Sequence, residues 1–141
     1  MANDGGDFAR SMSIATSGLR AQAGRMRVIS ENIANADSTA LTAGGEPYRR
    51  KVPTFSSELD RTLDAKVVTL GKVRPDTSAF RVKHEPSNPA ADAAGNVKYP
   101  NVNPLIEMSD MREAQRSYEA NLNIISATRR MIQRTLDILK A

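Results

Sequence analysis

Apolar side chains recur at alternating steps of four and three residues at both ends of the chain. Over residues 8–36 and again over residues 105–140, this spacing matches the a and d positions of a coiled coil for about four heptads. All seven prolines lie between Pro47 and Pro104, so both of these segments are free of the strongest helix breaker. Asn103 and Pro104 suit the cap and the first position of the second helix. The pattern predicts one long helix at each end.

The segment between the two helices has a different pattern. Residues 67–70 and 80–82 are short β-prone runs, and residues 48–55 form a third extended stretch. Residues 85–92 combine two prolines with turn-forming residues and predict a loop. We therefore predict a mainly α fold, in which long N- and C-terminal helices pack as an antiparallel coiled-coil-like pair with a small β-rich or extended insertion between them.

This pattern divides the chain into three parts. Residues 1–7 are polar and are expected to form a disordered N-terminus, whereas residues 40–103 form the insertion. The helical core is discontinuous, because it combines residues 8–36 with residues 105–140.

Several apolar residues lie outside the two helical seams. Ile14 and Val28 flank the first seam, and Ile124 and Ile138 flank the second. They widen each apolar stripe beyond what a single helix pair can bury, which favours contacts with other chains. The alternative is a monomeric helical hairpin whose insertion covers the extra apolar surface.

Two glycines interrupt the first helix. Gly18 and Gly24 each cost about 1 kcal/mol relative to alanine in a helix interior. They indicate either a close approach by another helix or a helix that folds only when it meets its partners. Simple tolerance of two weak positions is the third interpretation.

The composition excludes many kinds of catalytic site. The 141 residues contain no cysteine and a single histidine, His84, so disulfides, thiolate chemistry and sites that need two imidazoles are excluded. No nucleophile or orienting group is evident for His84. Paired carboxylates at helical spacing, such as Asp60 and Asp64, are interleaved with arginine and indicate a solvated face with ion pairs. Gly44–Gly45 lacks the Lys-Ser/Thr of a phosphate-binding loop. We predict no enzyme activity, no catalytic residue, no cofactor and no metal.

Charge and hydropathy limit the possible partners. The net charge of +4 is mild, and acidic residues nearly balance the basic ones on the last helix, so ion pairs between subunits are favoured over nucleic acid. A small helical nucleic-acid-binding or adaptor protein remains the alternative. No apolar run is long enough to span a membrane, and the first residues lack the features of a cleavable signal peptide.

Two segments resemble the terminal signatures of a known family. Residues 17–22 and 25–36, together with residues 117–121, are similar to the N- and C-terminal motifs of bacterial flagellar basal-body rod and hook proteins. Four stretches of the middle resemble the short proximal rod members of that family: residues 35–39, 47–51, 85–92 and 99–103. Glu31 departs from the wider family, in which many members carry a second asparagine before Asn32.

The resemblance implies a structural role. Such a protein would polymerise through its terminal helices into a hollow periplasmic shaft of the proximal rod, which transmits torque and encloses the export channel. Its expected partners are other proximal and distal rod proteins, the rod-to-ring adaptor, the MS ring, copies of itself and, in transit, the flagellar type III export apparatus. The resemblance also implies location in the basal body, after export without a cleaved signal peptide.

The expected assembly interface combines apolar seam residues with residues of the family signatures on both terminal helices. These residues are Leu19, Met26, Ile29, Asn32, Ile33, Asn35, Met111, Tyr118, Asn121, Leu122, Ile125, Ile132 and Leu136.

Overall fold

The computed structural model describes residues 4–140 and has two long helices, α1 (Asp4–Ala34) and α2 (Pro104–Lys140). Six strands lie between them: β1 (Lys51–Val52), β2 (Phe55–Asp60), β3 (Ala65–Leu70), β4 (Arg74–Pro75), β5 (Arg81–His84) and β6 (Asn96–Tyr99). The predicted mainly α fold with a small strand-containing insertion is confirmed. The predicted disordered segment 1–7 lies partly outside the described residues, and α1 begins at Asp4 instead of residue 8.

The predicted start of α2 is also correct. The backbone N–H of Leu105 donates to Oδ1 of Asn103 at 3.1 Å, so the asparagine side chain satisfies one of the free amides of the first turn. Pro104 occupies the first helical position, where its missing N–H costs no hydrogen bond. The first helix ends at Ala34, two residues earlier than predicted, in a turn that contains Asn35.

The chain divides into two compact units, of which the first is built from three segments and the second from two. The first unit comprises Met1–Met26, Thr54–Lys72 and Glu113–Ala141. Its strands β2 and β3 form an antiparallel hairpin with a register that runs from Phe55 opposite Leu70 to Asp60 opposite Ala65. The amide of Val68 donates to Oγ of Ser17 at 3.2 Å, so β3 lies against α1.

The second unit comprises Arg27–Pro53 and Val73–Arg112. It contains two antiparallel strand pairs, β1 with β4 and β5 with β6, and a small apolar core of Ala90, Val97 and Tyr99. The Tyr99 hydroxyl donates to the Glu85 carboxylate at 2.8 Å, which ties the proline-containing loop to β6. The sequence pattern predicted part of β5 but did not predict β6.

Candidate assembly surfaces

In the first unit, the two helices pack side by side in opposite directions. Nη2 of Arg25 lies 3.2 Å from Oε2 of Glu113, whereas Gly18, two turns earlier on α1, meets Asn121, two turns later on α2. Ala15 and Ala21 on α1 and Ala114 on α2 are buried. Small side chains therefore occupy much of this helix pair, which allows the two backbones to approach closely.

Glycine is present at the two helical positions for different structural reasons. A Cβ atom at Gly18 would lie 2.8 Å from Nδ2 of Asn121, so glycine permits a close approach by α2. A Cβ atom at Gly24 would lie 2.6 Å from Cδ2 of Leu70, so this second glycine accommodates a side chain of β3. Close helix approach, one of the interpretations of the sequence, thus holds for Gly18, and Gly24 is explained by the hairpin.

The residues of α2 that face inward are shifted around the helix relative to the residues that the apolar pattern selects. The buried residues of α2 are Glu107, Ala114 and Thr128, which are seven or fourteen residues apart. The predicted interface residues Met111, Tyr118, Ile125 and Ile132 alternate with them and are half-buried. Polar or small side chains thus take half of the inward positions.

Large apolar side chains remain exposed on both flanks of this line. Ile124, Met131 and Ile138 follow one another at intervals of seven residues and are 48%, 56% and 76% exposed. On the other flank, Leu122 and Leu136 are 41% and 46% exposed. A helix that repeats apolar residues every seven positions presents a continuous stripe to a neighbouring helix.

An apolar groove continues this surface in the first unit. It has a volume of about 390 Å³ and is lined by residues from the start of α1 and the last turns of α2: Gly5, Phe8, Ala9, Met12, Ile132, Thr135 and Leu136. Apolar grooves of this kind are typical sites for another apolar side chain or helix.

The second unit contains a polar network centred on Asn32, which is only 1% exposed. Its Oδ1 accepts hydrogen bonds from the Tyr48 hydroxyl at 2.8 Å and from the Lys51 amide at 2.9 Å. Its Nδ2 donates to the Lys51 carbonyl at 2.8 Å and to Oε2 of Glu107 at 3.1 Å. All four hydrogen-bonding positions of this side chain are used within the chain.

Glu107 is equally buried and carries a carboxylate into the second unit. Nε of Arg50 donates to its Oε1 at 2.5 Å, and the same guanidinium reaches Asp76 at 3.4 Å and Asp110 at 3.8 Å. Burial alone would lower the pKa of Arg50, but the hydrogen bonds and charges of Glu107 and Asp76 raise it above its ordinary value. The guanidinium therefore stays charged and neutralises a carboxylate that would otherwise be buried without a partner.

The predicted interface residues fall into three classes of exposure. Ile29 and Asn32 are buried within the chain, whereas Leu122 and Leu136 are exposed. The rest are half-buried: Leu19, Met26, Ile33, Asn35, Met111, Tyr118, Asn121, Ile125 and Ile132. The sequence interpretation missed Glu107 and Arg50, although an acidic residue in phase with Ala114 and Thr128 is a signal that could have identified Glu107.

His84 is the histidine that the sequence offered as a candidate for catalysis. His84 is exposed in β5, and its Nδ1 lies 3.3 Å from Oδ1 of Asn96. Within residues 4–140, no group of three or more histidine or acidic side chains could hold a metal ion. No helix in this part of the chain is both long and apolar enough to cross a membrane.

Comparison with known proteins gives consistent matches at both ends of the chain. A family described as flagella basal body rod protein matches residues 12–40, and one described as flagellar basal body rod FlgEFG protein C-terminal matches residues 93–138. The chain is similar to the flagellar basal-body rod protein FlgC of Agrobacterium fabrum, with 55% identity over 128 residues that cover 91% of this chain and 92% of that protein.

Two more distant relatives carry the same description. The Bacillus subtilis protein is 39% identical over 145 residues, which cover 92% of this chain and 97% of that protein. The Salmonella typhimurium protein is 37% identical over 125 residues, which cover 89% and 92%. The similarity therefore includes the insertion as well as the two terminal helices.

Proposed function

This chain belongs to the flagellar basal-body rod protein family and is a structural rod subunit, and we propose that it polymerises through its terminal helices into the hollow shaft of the proximal rod. The shaft encloses the export channel and transmits torque. The subunit acts by packing, without catalysis. Family membership favours this function over that of a nucleic-acid-binding or adaptor protein.

The exposed apolar stripe of α2 is the observation that carries this proposal. Burying apolar surface contributes about 25 cal/mol per Å², so Ile124, Met131 and Ile138 favour any state in which a neighbouring chain covers them. Their seven-residue spacing suits a helix as the covering element. The groove lined by Phe8 and Ile132 lies in the same unit and offers a second apolar contact.

The exposed and half-buried interface residues are assigned to contacts between subunits. Leu122 and Leu136 contact a neighbour directly, because the described chain leaves 41% and 46% of their surface exposed. Ile29 and Asn32 support the interface indirectly by fixing the position of the helices. The remaining predicted residues pack the helix pair and contribute their exposed edges.

The partners and the location are proposed on the same basis. The proposed neighbours of this chain are copies of itself, other proximal and distal rod proteins, the rod-to-ring adaptor and the MS ring. The periplasmic part of the basal body is the proposed location. Transit through the flagellar type III export apparatus suits long helices that gain most of their stability from packing.

A pair of charge insertions tests the proposal. Met131→Glu/Ile138→Glu places two carboxylates on the exposed stripe, where an interface would bury them without partners at a cost of several kcal/mol. Asn123→Glu/Ser126→Glu is the matched control, because it adds the same charge at exposed positions of α2 outside the stripe. The assays are swimming in soft agar and isolation of basal bodies.

We expect the stripe variant to be non-motile and to lack complete rods, and the control to swim. Leu122→Asp is expected to act like the stripe variant. Circular dichroism of each purified protein verifies that the helical content of the free chain is unchanged. Normal swimming by the stripe variant, with that variant present in the rods, would refute assembly through α2.

A further inference from the structure

A basic cleft of about 710 Å³ lies in the second unit. Four cations line it: Arg27 on α1, Arg49 just before β1, Lys51 in β1 and Arg74 in β4. Among the described residues that line it, Glu31 is the only one with a carboxylate. The other lining residues are apolar or aromatic: Val28, Tyr48, Val73 and Pro75. The cleft therefore combines an apolar surface with an excess of positive charge.

Three of these four cations are not neutralised by an ion pair within the described residues. Lys51 pairs with Glu31, but Arg27, Arg49 and Arg74 take part in none of the ion pairs formed by residues 4–140. Nη1 of Arg49 instead donates to two backbone carbonyls, those of Asp76 at 3.1 Å and Ser78 at 3.2 Å. Clefts lined by one sign of charge concentrate groups of the opposite charge.

Part of the cleft is held rigidly before any partner binds. The Arg49 guanidinium stacks 4.1 Å above the ring of Phe80. The Tyr48 ring is fixed by the hydrogen bond from its hydroxyl to Asn32, and Nζ of Lys51 lies 5.7 Å from the centre of that ring. Rigid side chains lose little entropy on binding, which favours affinity.

We propose that this cleft receives the β2–β3 hairpin of a second copy of the chain. The inference rests on the proposed rod function and names one contact between neighbouring subunits. The acidic and apolar residues of the hairpin bind the basic and apolar residues of the cleft.

The tip of the hairpin, residues 58–64, has the complementary charge, because it carries three carboxylates and one cation, Arg61. The other basic residue of the hairpin is Lys66 in β3. Glu58, Asp60 and Asp64 lie within seven residues of one another, and none of them forms an ion pair among residues 4–140. Leu59, between two of these carboxylates, is 53% exposed and can contact the apolar side of the cleft.

The hairpin also presents an unprotected strand. Of the described strands, only β3 pairs with β2, and the first five residues of β2 are exposed. Natural proteins usually cover such an edge, because its free N–H and C=O groups attract other strands. Docking of the hairpin into a neighbouring subunit would cover it.

In this contact, the hairpin of one copy binds the cleft of another copy, so two different surfaces meet. This determines how many copies can assemble. A hairpin-to-cleft contact is head-to-tail, so each copy offers a free hairpin or a free cleft to the next. Such contacts build rings or helical arrays, whereas a contact of one surface with itself stops at a dimer.

A charge swap tests the contact in cells. Arg74→Glu and Glu58→Lys each place like charges together in the proposed contact, and each is expected to reduce the swimming ring about twofold or more. The double variant restores the opposite charges in exchanged positions and is expected to swim like the wild type. Lys98→Glu is the control for Arg74→Glu, because Lys98 is an exposed cation of the same unit outside the cleft.

Cross-linking identifies the partner, since the natural chain contains no cysteine. Basal bodies that carry Glu58→Cys/Arg74→Cys are treated with a short bis-maleimide. A ladder of dimers and larger species is expected, whereas Glu58→Cys/Lys98→Cys should give none. A cross-link within single chains would overturn the inference, and so would rods that contain the variant but show neither a ladder nor rescue by the charge swap.

The failure of this inference is distinguishable from that of the rod function. If the wild-type chain is present in isolated rods but the hairpin and cleft do not meet, only the contact is wrong. If the wild-type chain is absent from rods, both the rod function and the contact that depends on it are wrong.

Discussion

Asn32 and Glu107 meet in the second unit, where Nδ2 of the asparagine donates to Oε2 of the carboxylate at 3.1 Å and both residues are 1% exposed. The first residue lies near the end of α1 and the second lies in the first turn of α2, so this hydrogen bond joins two segments that are 75 residues apart. Arg50 adds a third segment through its bond to the same carboxylate. The chain therefore joins its two helical segments through a polar contact as well as through apolar packing.

Asn32→Asp tests this contact with almost no change in shape. The substitution replaces the donating amide by a carboxylate oxygen, which would face the Glu107 carboxylate and the Lys51 carbonyl. A buried charge without compensation costs about 3–5 kcal/mol, so the free energy of unfolding should fall by that amount in a denaturant titration. Asn123→Asp, at an exposed position of α2, should change it by less than about 0.5 kcal/mol. Equal stability of the two variants would contradict the role of Asn32.

The half-buried position of Tyr48 can be tested by the dependence of the chain's stability on pH. Burial, followed by the charges of Glu31 and Glu107, raises the pKa of its phenol from 10.0 to about 12. The folded chain therefore holds this proton more tightly than the unfolded chain does. The resulting stability is fully present below pH 10 and is lost as the pH rises toward 12.

The measurement is the free energy of unfolding of the wild type and of Tyr48→Phe between pH 8 and pH 12. Because phenylalanine has no phenol to ionise, the variant should lose less stability than the wild type over the upper part of this range. Parallel curves for the two proteins would show that the phenol of Tyr48 titrates alike in the folded and unfolded chain.

The sequence predicted the helices well because two independent signals coincide there. Heptad spacing defines their extent, and the cap formed by Asn103 fixes the start of α2. Strand β6 was missed because its residues Asn96–Tyr99 include asparagine and lysine, and it pairs with β5 across a proline-containing loop. Such pairing depends on contacts distant in sequence, which periodicity does not report.

The phase of the α2 seam was harder to predict for a physical reason. Apolar periodicity selected Leu122 and Leu136, but the close approach at Gly18 favours small or polar side chains, such as those of Ala114 and Asn121, on the inward line. The polar network was missed for a related reason. Whether Glu107 is a surface charge or a buried one depends on the position of Arg50, more than fifty residues earlier in the chain.

His84→Ala should leave function unchanged. The imidazole is exposed, and its Nδ1 lies 3.3 Å from Oδ1 of Asn96. Removing an exposed side chain of this kind changes stability by about 0.5 kcal/mol or less. Swimming in soft agar should match the wild type. Loss of swimming by a variant that still enters the rods would indicate an active site and contradict the purely structural role.

Gly18 and Asn121 allow the close approach of the helices to be measured as a coupling energy. In the wild-type background, the higher helix propensity of alanine means that Gly18→Ala alone would raise the free energy of unfolding by up to about 1 kcal/mol. The new Cβ, however, would lie 2.8 Å from Nδ2 of Asn121, which itself donates to the Ser117 carbonyl at 2.9 Å. Displacing that amide costs about 1 kcal/mol, so we expect almost no net change in stability.

In an Asn121→Ala background the obstruction is gone, so Gly18→Ala should stabilise the chain by about 1 kcal/mol. The double-mutant cycle, measured by denaturant unfolding, should therefore give a coupling of about 1 kcal/mol. Gly5→Ala is the control, because open space surrounds that position in α1 and its effect should be the same in both backgrounds. If Gly18→Ala had the same effect with and without the Asn121 side chain, the two helices would not approach closely at this point, and the glycine would be only a tolerated weak position.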